Sequence, residues 1–244
     1  MRNQQQWQPS KFRDQDGVLK ASRDVKEVAI SSRLVADAVA ECFARFIPQY
    51  CSGLLLDLGC GKAPLYGTYK DYITDVVCVD WVNSFHDLSY IDISCDLSKS
   101  LPLPDQHFDT IILSDVLEHI PEPKNLWLEM ARVIKPGGKL LISVPFYYWL
   151  HEEPHDYYRY TEHALKRFAT LSGFDVLVME QYGGAPEILA DILAKNIIHF
   201  HWRLGPLFAD YVQRLASWYV SRRKPFYKKL SQFPLGYFLV VKKV

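Results

Sequence analysis

The stretch LLLDLGCGKAP (residues 54–64) decides the fold class of this chain. Its apolar half predicts a buried strand that ends near Asp57, and Gly59 and Gly61 predict a tight turn into a helix. Glycine suits a turn where the backbone bends sharply and a ligand comes close. Asp80, 21 residues after Gly59, ends the next strand signal and can accept hydrogen bonds from ribose hydroxyls. We therefore expect a nucleotide-type site at the carboxyl edge of a sheet.

The same stretch indicates which nucleotide fits. A dinucleotide fingerprint, GxGxxG/A, needs a small residue at its sixth position, where this chain has Pro64. The phosphate-binding pattern GxxxxGK[ST] does not occur in the sequence. A nucleoside without phosphate groups is therefore favoured. A purely structural turn, or a nicotinamide-dependent oxidoreductase on a similar sheet, are the competing interpretations.

Strand and helix signals alternate along the chain. Apolar runs of strand length lie at 54–59, 75–80, 108–115, 138–146, 173–182 and 236–244, with a weaker run at 90–97. Helical patterns lie near 64–72, 121–135 and 161–172. Such alternation predicts a parallel sheet with helices on both faces, and the unbroken apolar runs fit strands buried on both sides. The predicted fold class is α/β, a Rossmann-like doubly wound sheet.

The whole chain, 1–244, is predicted to form a single domain. Residues 1–50 would be an N-terminal arm followed by a helix. Ser22 would cap this helix, which would run to about Ile47 and end at Pro48. Residues 51–184 would form the ligand-binding core, 185–233 a helical insertion or lid, and 234–244 the final strand.

Composition and charge narrow the function classes. The chain has 28 basic and 28 acidic residues, so no overall field favours nucleic acid as a partner. Its five cysteines form no CxxC pair, which is typical of reduced core thiols in a cytoplasmic protein. The N-terminus lacks the apolar region of a secretory signal, and no run of apolar residues is long enough to span a bilayer.

Four segments, in order, carry a resemblance to a known family: LLDLGCGKA, VCVD, DLSKSLPLPDQHFDTIILSDVLEHI and RVIKPGGKLLISVP. Together they resemble the class I S-adenosylmethionine-dependent methyltransferases, and in particular the type 11 branch. The resemblance runs from about Leu54 to Phe174 and departs from the family at Ala63-Pro64. It implies a seven-stranded sheet whose last strand, GYFLVVKKV, is antiparallel.

The resemblance also implies which residues bind S-adenosylmethionine. Gly59 and Gly61 would approach its methionine part, Asp57 would order the loop, and Asp80 would hold the ribose. The remaining implied contacts are Trp81 stacking on adenine, Asp96 accepting from its amino group, Leu97 offering backbone atoms, Ser114 lining the methionine side and His119 facing the cofactor region. Alternatively, Trp81 only covers the edge of the sheet, Asp96 only stabilises a turn, and His119 only makes hydrogen bonds near the start of a helix.

The segment HEEPHDYYRYT (151–161) follows the strand at 138–146 and would leave from the same carboxyl edge. His151 or His155 could act as a base for an acceptor hydroxyl, Tyr158 could wall the pocket, and Arg159 could hold an anionic group. In the alternative, Thr161 caps the next helix, Arg159 pairs with Asp156 and the tyrosines pack in the core. No metal is predicted, because Pro154 keeps His151 and His155 off a shared helical face.

The insertion at 185–233 combines apolar and aromatic residues with a basic cluster near its end. It could be a lid, a homodimer face or a peripheral membrane contact through 214–229. The resulting hypothesis is a methyltransferase that acts on a small-molecule or carbohydrate-like acceptor, with oxygen favoured as nucleophile. The competing hypothesis of another class is a catalytically inactive S-adenosylmethionine-binding scaffold module.

Overall fold

A seven-stranded sheet forms the centre of the computed structural model, which describes residues 1–82, 88–201, 203–227 and 232–244, without the side chains of 223–227. A small hairpin, β1 (Phe12–Gln15) and β2 (Val18–Ala21), precedes it. The strands of the central sheet are β3 (Leu54–Leu58), β4 (Asp75–Asp80), β5 (Ile93–Ser94), β6 (Phe108–Ser114), β7 (Ile134–Pro145), β8 (Phe174–Tyr182) and β9 (Gly236–Lys243). The described helices are α1 (Arg33–Tyr50), α2 (Tyr66–Tyr69), α3 (Pro123–Val133), α4 (Glu162–Leu171), α5 (Ala185–Ile197) and α6 (Leu204–Tyr227).

The strand order in this sheet is β5-β4-β3-β6-β7-β9-β8. Pairing is parallel from β5 to β7, and only β9 runs antiparallel, against both β7 and β8. This confirms the predicted fold class and the antiparallel last strand. From β3 the chain winds outward through β4 to β5, and it then returns to β6 on the other side of β3. The crevice between the carboxyl ends of β3 and β6 is therefore the topological switch point, where such sheets bind ligands.

Successive residues of the strands pack against opposite layers of helices. Leu55 joins a core with α1 and α2, while its neighbour Leu56 joins a second core with α3 and α4. Leu55, Leu56 and Leu58 of β3 are all fully buried. Burial on both faces explains the unbroken apolar runs. Thr161 caps α4 as predicted, because its side chain accepts a hydrogen bond from the N–H of Ala164 at 3.2 Å.

The first 32 residues differ from the predicted arm and helix start. Asp16 and Gly17 both have positive φ angles, 55° and 80°, and they form the two-residue turn between β1 and β2. The Asp-Gly pair is a strong hairpin signal, and it could have been recognised from the sequence.

The predicted start of the first long helix at Ser22 was wrong. The helix begins at Arg33, after a short 3-10 turn at Ile30–Ser32. Ser22 is fully buried, and its hydroxyl accepts a hydrogen bond from the N–H of Asp24 instead of capping a helix. Pro48 does not end α1 but lies inside its last turn.

The insertion is helical, as predicted, but part of its charge is buried. Asp191 and Lys195 of α5 are 3% and 7% exposed and form an ion pair of 2.5 Å. The Lys195 ammonium also lies 3.8 Å from the ring centroid of Tyr148, so α5 packs on the segment after β7. Helix α6 leaves apolar side chains such as Tyr211 and Trp218 exposed.

The predicted membrane contact at 214–229 falls partly outside the described residues, namely at 228–229 and at the side chains of 223–227. The lid, dimer-face and membrane-contact interpretations of the insertion therefore stay predictions. Within the described residues, no helix has both the length and the apolar character to cross a bilayer.

Candidate active site

The glycine loop after β3 adopts a backbone that favours glycine. Gly59 and Gly61 have φ angles of 69° and 50°, in the left-handed region. The N–H groups of Gly59 and Cys60 donate to the carbonyl of Val79 at 2.8 and 3.2 Å. The N–H of Gly61 donates to the carboxylate of Asp80 at 2.6 Å. Three consecutive N–H groups therefore tie the loop to the end of β4.

Gly59 is also required by a close approach across the switch point. A Cβ atom at this position would lie 2.4 Å from Cγ2 of Val116, in the loop after β6. Distances this short do not occur between real side chains, so any residue larger than glycine would push the two loops apart. The loops after β3 and β6 thus pack directly against each other.

Asp57 lies beneath the loop and is 4% exposed. Its carboxyl accepts a hydrogen bond of 2.9 Å from the hydroxyl of Tyr69 on α2. Burial raises the pKa of Asp57 to about 7, and the charge of Asp80 acts in the same direction, while the Tyr69 hydrogen bond acts against it. The site thus favours positive charge on a ligand near Asp57 and Asp80.

The arrangement fits a cationic nucleoside without phosphates better than a dinucleotide. A phosphate is usually held by free backbone N–H groups at a helix N-terminus. Here the N–H groups of residues 59–61 are already used by β4, and Lys62 is turned away to an ion pair with Glu27 at 2.9 Å. The helix that follows, α2, has only four residues. Asp80 adds negative charge beside the carboxyl of Asp57, which suits the sulfonium and amino groups of S-adenosylmethionine.

The other residues implied to bind the cofactor lie along the same edge. The N–H of Trp81 donates to Asp80, and its indole contacts the ring of His155, with centroids 5.4 Å apart. Asp96 accepts hydrogen bonds from the N–H and the hydroxyl of Ser98, as a turn acid would. The side chain of Leu97 is buried in the core. Contact of these residues with the cofactor stays a prediction.

The end of β6 brings in residues that the sequence analysis did not assign. Ser114, an implied cofactor residue, lies 3.3 Å from the hydroxyl of Ser143 on β7. Asp115 follows with a positive φ of 53°, accepts from Ser143 at 2.8 Å and pairs with Lys11 at 3.0 Å. No sequence pattern predicts that Lys11 lies at the carboxyl end of β6, because the N-terminal fold places it there.

The segment after β7 folds over the segment after β6. The N–H groups of Tyr157 and Tyr158 donate to the carbonyl of Glu118 at 2.9 and 3.3 Å. The hydroxyl of Tyr158 donates to the carbonyl of Pro121, and that of buried Tyr160 donates to the carbonyl of Leu117. HEEPHDYYRYT is therefore a tethered wall of the switch-point crevice rather than a loose connection.

Arg159 makes the internal pair that the alternative interpretation describes. Its guanidinium binds both carboxylate oxygens of Asp156, at 2.5 and 2.8 Å, and the carbonyl of Trp149 at 2.9 Å. Although burial acts against ionisation, the hydrogen bonds from Arg159 and from the N–H of His151 lower the pKa of Asp156 to about 2. A substrate role for Arg159 stays a prediction, and it would require sharing these donors.

The histidines fall into two groups. The rings of His119 and His151 are 4.7 Å apart and lie next to Glu118, a fully buried residue. His155 instead contacts Trp81 at the end of β4, and its Nδ1 lies 3.2 Å from the hydroxyl of Tyr157. The sequence left His151 and His155 as alternative bases, and the fold separates them by bringing His151 to His119 and His155 to Trp81.

Comparison with known proteins gives a consistent family. A family model described as "Methyltransferase domain" matches residues 56–142, which include the glycine loop and the end of β6. Demethylmenaquinone methyltransferase of Renibacterium salmoninarum is 32% identical over 116 residues, 46% of each chain. Ubiquinone biosynthesis O-methyltransferase of Coxiella burnetii is 33% identical over 98 residues, 36% of this chain and 42% of that protein. The chain thus spans less than half the length of these relatives.

Solved structures share the fold. An S-adenosylmethionine-dependent methyltransferase from Mesorhizobium loti superposes with a TM-score of 0.56 at 14% identity, covering 84% of this chain and 98% of that one. The [4+2]-cyclase SpnF superposes with a TM-score of 0.55 at 20% identity, covering 96% and 87%. At such identities the likeness shows the fold alone.

Proposed function

Because the chain belongs to the class I S-adenosylmethionine-dependent methyltransferases, we propose that it transfers a methyl group from this cofactor to a small-molecule acceptor. The bound cofactor would supply an electrophilic methyl group on a positively charged sulfur. The chain's own residues would bind and orient the two reactants, exclude water and accept a proton where the acceptor must lose one.

A single observation carries the cofactor assignment. The backbone N–H groups of the glycine loop are bound to Val79 and Asp80, beside the buried carboxyl of Asp57. A loop held in this way offers close backbone approach and negative charge but few donors for phosphate. It supports a nucleoside with a cationic centre over a nicotinamide dinucleotide.

His155 is the residue that we assign as the proton acceptor, and oxygen as the favoured nucleophile. His155 contacts Trp81, which follows directly on the Asp80 that anchors the glycine loop. His151 turns away from this position toward His119 and Glu118. A neutral imidazole can accept the proton of a hydroxyl acceptor.

The names of the relatives and the exposed aromatic residues after β7 support a proposal for the class of acceptor. The two curated relatives carry the names of quinone-pathway methyltransferases, which favours a phenolic ring as acceptor. Trp149, Tyr157 and Tyr158 are between 40% and 53% exposed on the segment after β7. Exposed aromatic faces can stack on a phenolic ring or on the apolar face of a sugar, so a carbohydrate-like acceptor remains the second candidate.

Ligand binding and turnover test the proposal together. S-adenosylhomocysteine should raise the melting temperature, whereas NAD should not. Phenolic and sugar acceptors supplied with labelled cofactor should then separate the two acceptor classes. Binding of cofactor without any transfer would favour the scaffold module, and stabilisation by NAD alone would favour the oxidoreductase.

Replacement of Asp80 gives a sharper test of the site. Asp80→Ala removes the acceptor for the N–H of Gly61 and should weaken S-adenosylhomocysteine binding by about 1–3 kcal/mol, the cost of a lost charge-assisted hydrogen bond. Asp75→Ala, at the opposite and exposed end of the same strand, is the matched control and should leave affinity unchanged. Equal affinity in both variants would remove Asp80 from the site.

A further inference from the structure

Glu118, His119 and His151 bring three potential metal ligands to one point between the segments after β6 and β7. Each offers one ligand atom, and the three atoms lie within 4.8 Å of one another. Oε1 of Glu118 is 3.8 Å from Nε2 of His119 and 4.0 Å from Nε2 of His151. These separations are too long for hydrogen bonds. The three atoms therefore lie close together without being hydrogen-bonded to one another.

The hydrogen bonds of the two histidines leave both Nε2 atoms with a free lone pair. Nδ1 of His119 lies 2.8 Å from the carbonyl oxygen of His155, which can only accept, so this nitrogen carries the proton. Nδ1 of His151 faces the carbonyl of Trp149 and the carboxylate of Asp156, both at 3.3 Å, and carries the proton for the same reason. Histidines that ligate metals in proteins are oriented in this way, by a carbonyl or a carboxylate on the second nitrogen.

Glu118 gives independent support for a ligand at this point. Its side chain is fully buried, and neither carboxylate oxygen has a hydrogen-bond partner within the described part of the chain. Buried polar groups are almost always paired, so a carboxylate with two unpaired oxygens needs an explanation. Its Oε1 points at the Nε2 atoms of both histidines.

We propose that Glu118, His119 and His151 bind a divalent first-row transition metal ion, Zn²⁺ being the best match. Two neutral imidazoles and a carboxylate are a common Zn²⁺ donor set, with bonds of about 2.0–2.2 Å. Two ligands of a tetrahedral ion then lie about 3.4 Å apart. The two separations from Oε1 of Glu118, 3.8 and 4.0 Å, exceed this by a few tenths of an ångström, which small side-chain rotations would close.

A second carboxylate stands beside the three ligands. Oε2 of Glu152 lies 3.8 Å from Nε2 of His119, on a side chain that is 44% exposed. As a fourth ligand it would bring the donor charge to two, which balances a dication. Without it, water or an oxygen of an acceptor would complete the coordination. The site is built by the fold, because His119 and His151 come from different loops.

Metal binding can be measured without cofactor or acceptor, so the test is separate from methyl transfer. The full chain is stripped with a chelator, and Zn²⁺ alone is added in a calorimeter, with Co²⁺ as a spectroscopic substitute. Glu118→Gln and His151→Ala remove one ligand each. His163→Ala, which removes an exposed histidine of α4, is the matched control.

We expect one ion per chain, an affinity at least 100-fold lower in both ligand variants, and no change in the control. Zn²⁺ should also raise the melting temperature of the parent chain but not of Glu118→Gln. X-ray absorption of the Zn²⁺-loaded parent chain should show two imidazole ligands, a result that does not require any variant to fold. Binding that survives both substitutions, or a zinc spectrum without imidazole, would overturn the proposal.

Discussion

The contact between Gly59 and Val116 predicts a specific penalty for adding one methyl group to the glycine loop. Gly59→Ala places a Cβ atom 2.4 Å from Cγ2 of Val116, at a φ of 69°. The matched control is Gly17→Ala in the β1–β2 turn, where φ is 80° and a Cβ atom would meet nothing within 4 Å. The two variants share the unfavourable backbone conformation, and only Gly59→Ala adds the clash.

The expected magnitudes follow from these two contributions. A left-handed conformation costs an L-residue about 1–2 kcal/mol, so this is the expected loss for Gly17→Ala. Overpacking adds about 1–3 kcal/mol, so Gly59→Ala should lose about 2–5 kcal/mol. Val116→Ala removes the obstructing methyl groups, and in the double variant it should recover most of the overpacking part.

Urea unfolding of the four variants and the parent chain measures these differences as free energies of unfolding. S-adenosylhomocysteine affinity, measured by calorimetry, should fall in Gly59→Ala and stay unchanged in Gly17→Ala. If both glycine variants lose the same free energy, the loops after β3 and β6 are not in the contact described. A double variant no more stable than Gly59→Ala would argue the same.

Three further predictions concern the core, the insertion and a helix cap. Asp57→Asn should remove a pH dependence of the free energy of unfolding. Burial raises the pKa of Asp57 in the native state from 3.8 to about 7, so the parent chain should lose up to about 4 kcal/mol of stability relative to the variant as the pH rises from about 4 to 7 and the unfolded state releases this proton. Parallel pH profiles of the two chains in urea unfolding would contradict this. Asp191→Ala should cost about 3–5 kcal/mol because it leaves the ammonium of Lys195 buried and unpaired, whereas Asp191→Leu combined with Lys195→Met should recover most of the loss in the same assay. Thr161→Ala should lower the free energy of unfolding by about 1 kcal/mol through the lost N-cap of α4, and an unchanged midpoint would show that the cap does not stabilise the helix.

The sheet and the glycine loop were predictable because their signals are local. Burial of the strand Leu54–Leu58 on both faces requires an unbroken apolar run, and the positive φ at position 59 requires glycine. Both signals lie within a few residues of the sequence. The cap at Thr161 was predictable for the same reason. The hairpin around Asp16 and Gly17 also had a local signal, and it was missed because the surrounding residues are polar.

The arrangement of the histidines was not predictable from spacing. His119 and His151 are 32 positions apart, and they meet only because β6 and β7 are neighbours whose loops leave from the same edge. The start of α1 was misplaced because Ser22 has the residue type of a helix cap but is occupied by the turn at Asp24. The histidine arrangement thus depends on tertiary contacts, whereas the helix start was misplaced because a local turn uses the same residue type as a helix cap.

The N-terminal segment also belongs to the walls of the crevice. The indole N–H of Trp7 donates to the carbonyl of Ala63 in the glycine loop, and Lys11 pairs with Asp115 after β6. The first eleven residues therefore contact both loops that border the switch point, the glycine loop and the loop after β6. A shortened chain that starts at the first strand of the central sheet would keep every element matched by the family model, yet it would lose both the Trp7–Ala63 hydrogen bond and the Lys11–Asp115 ion pair.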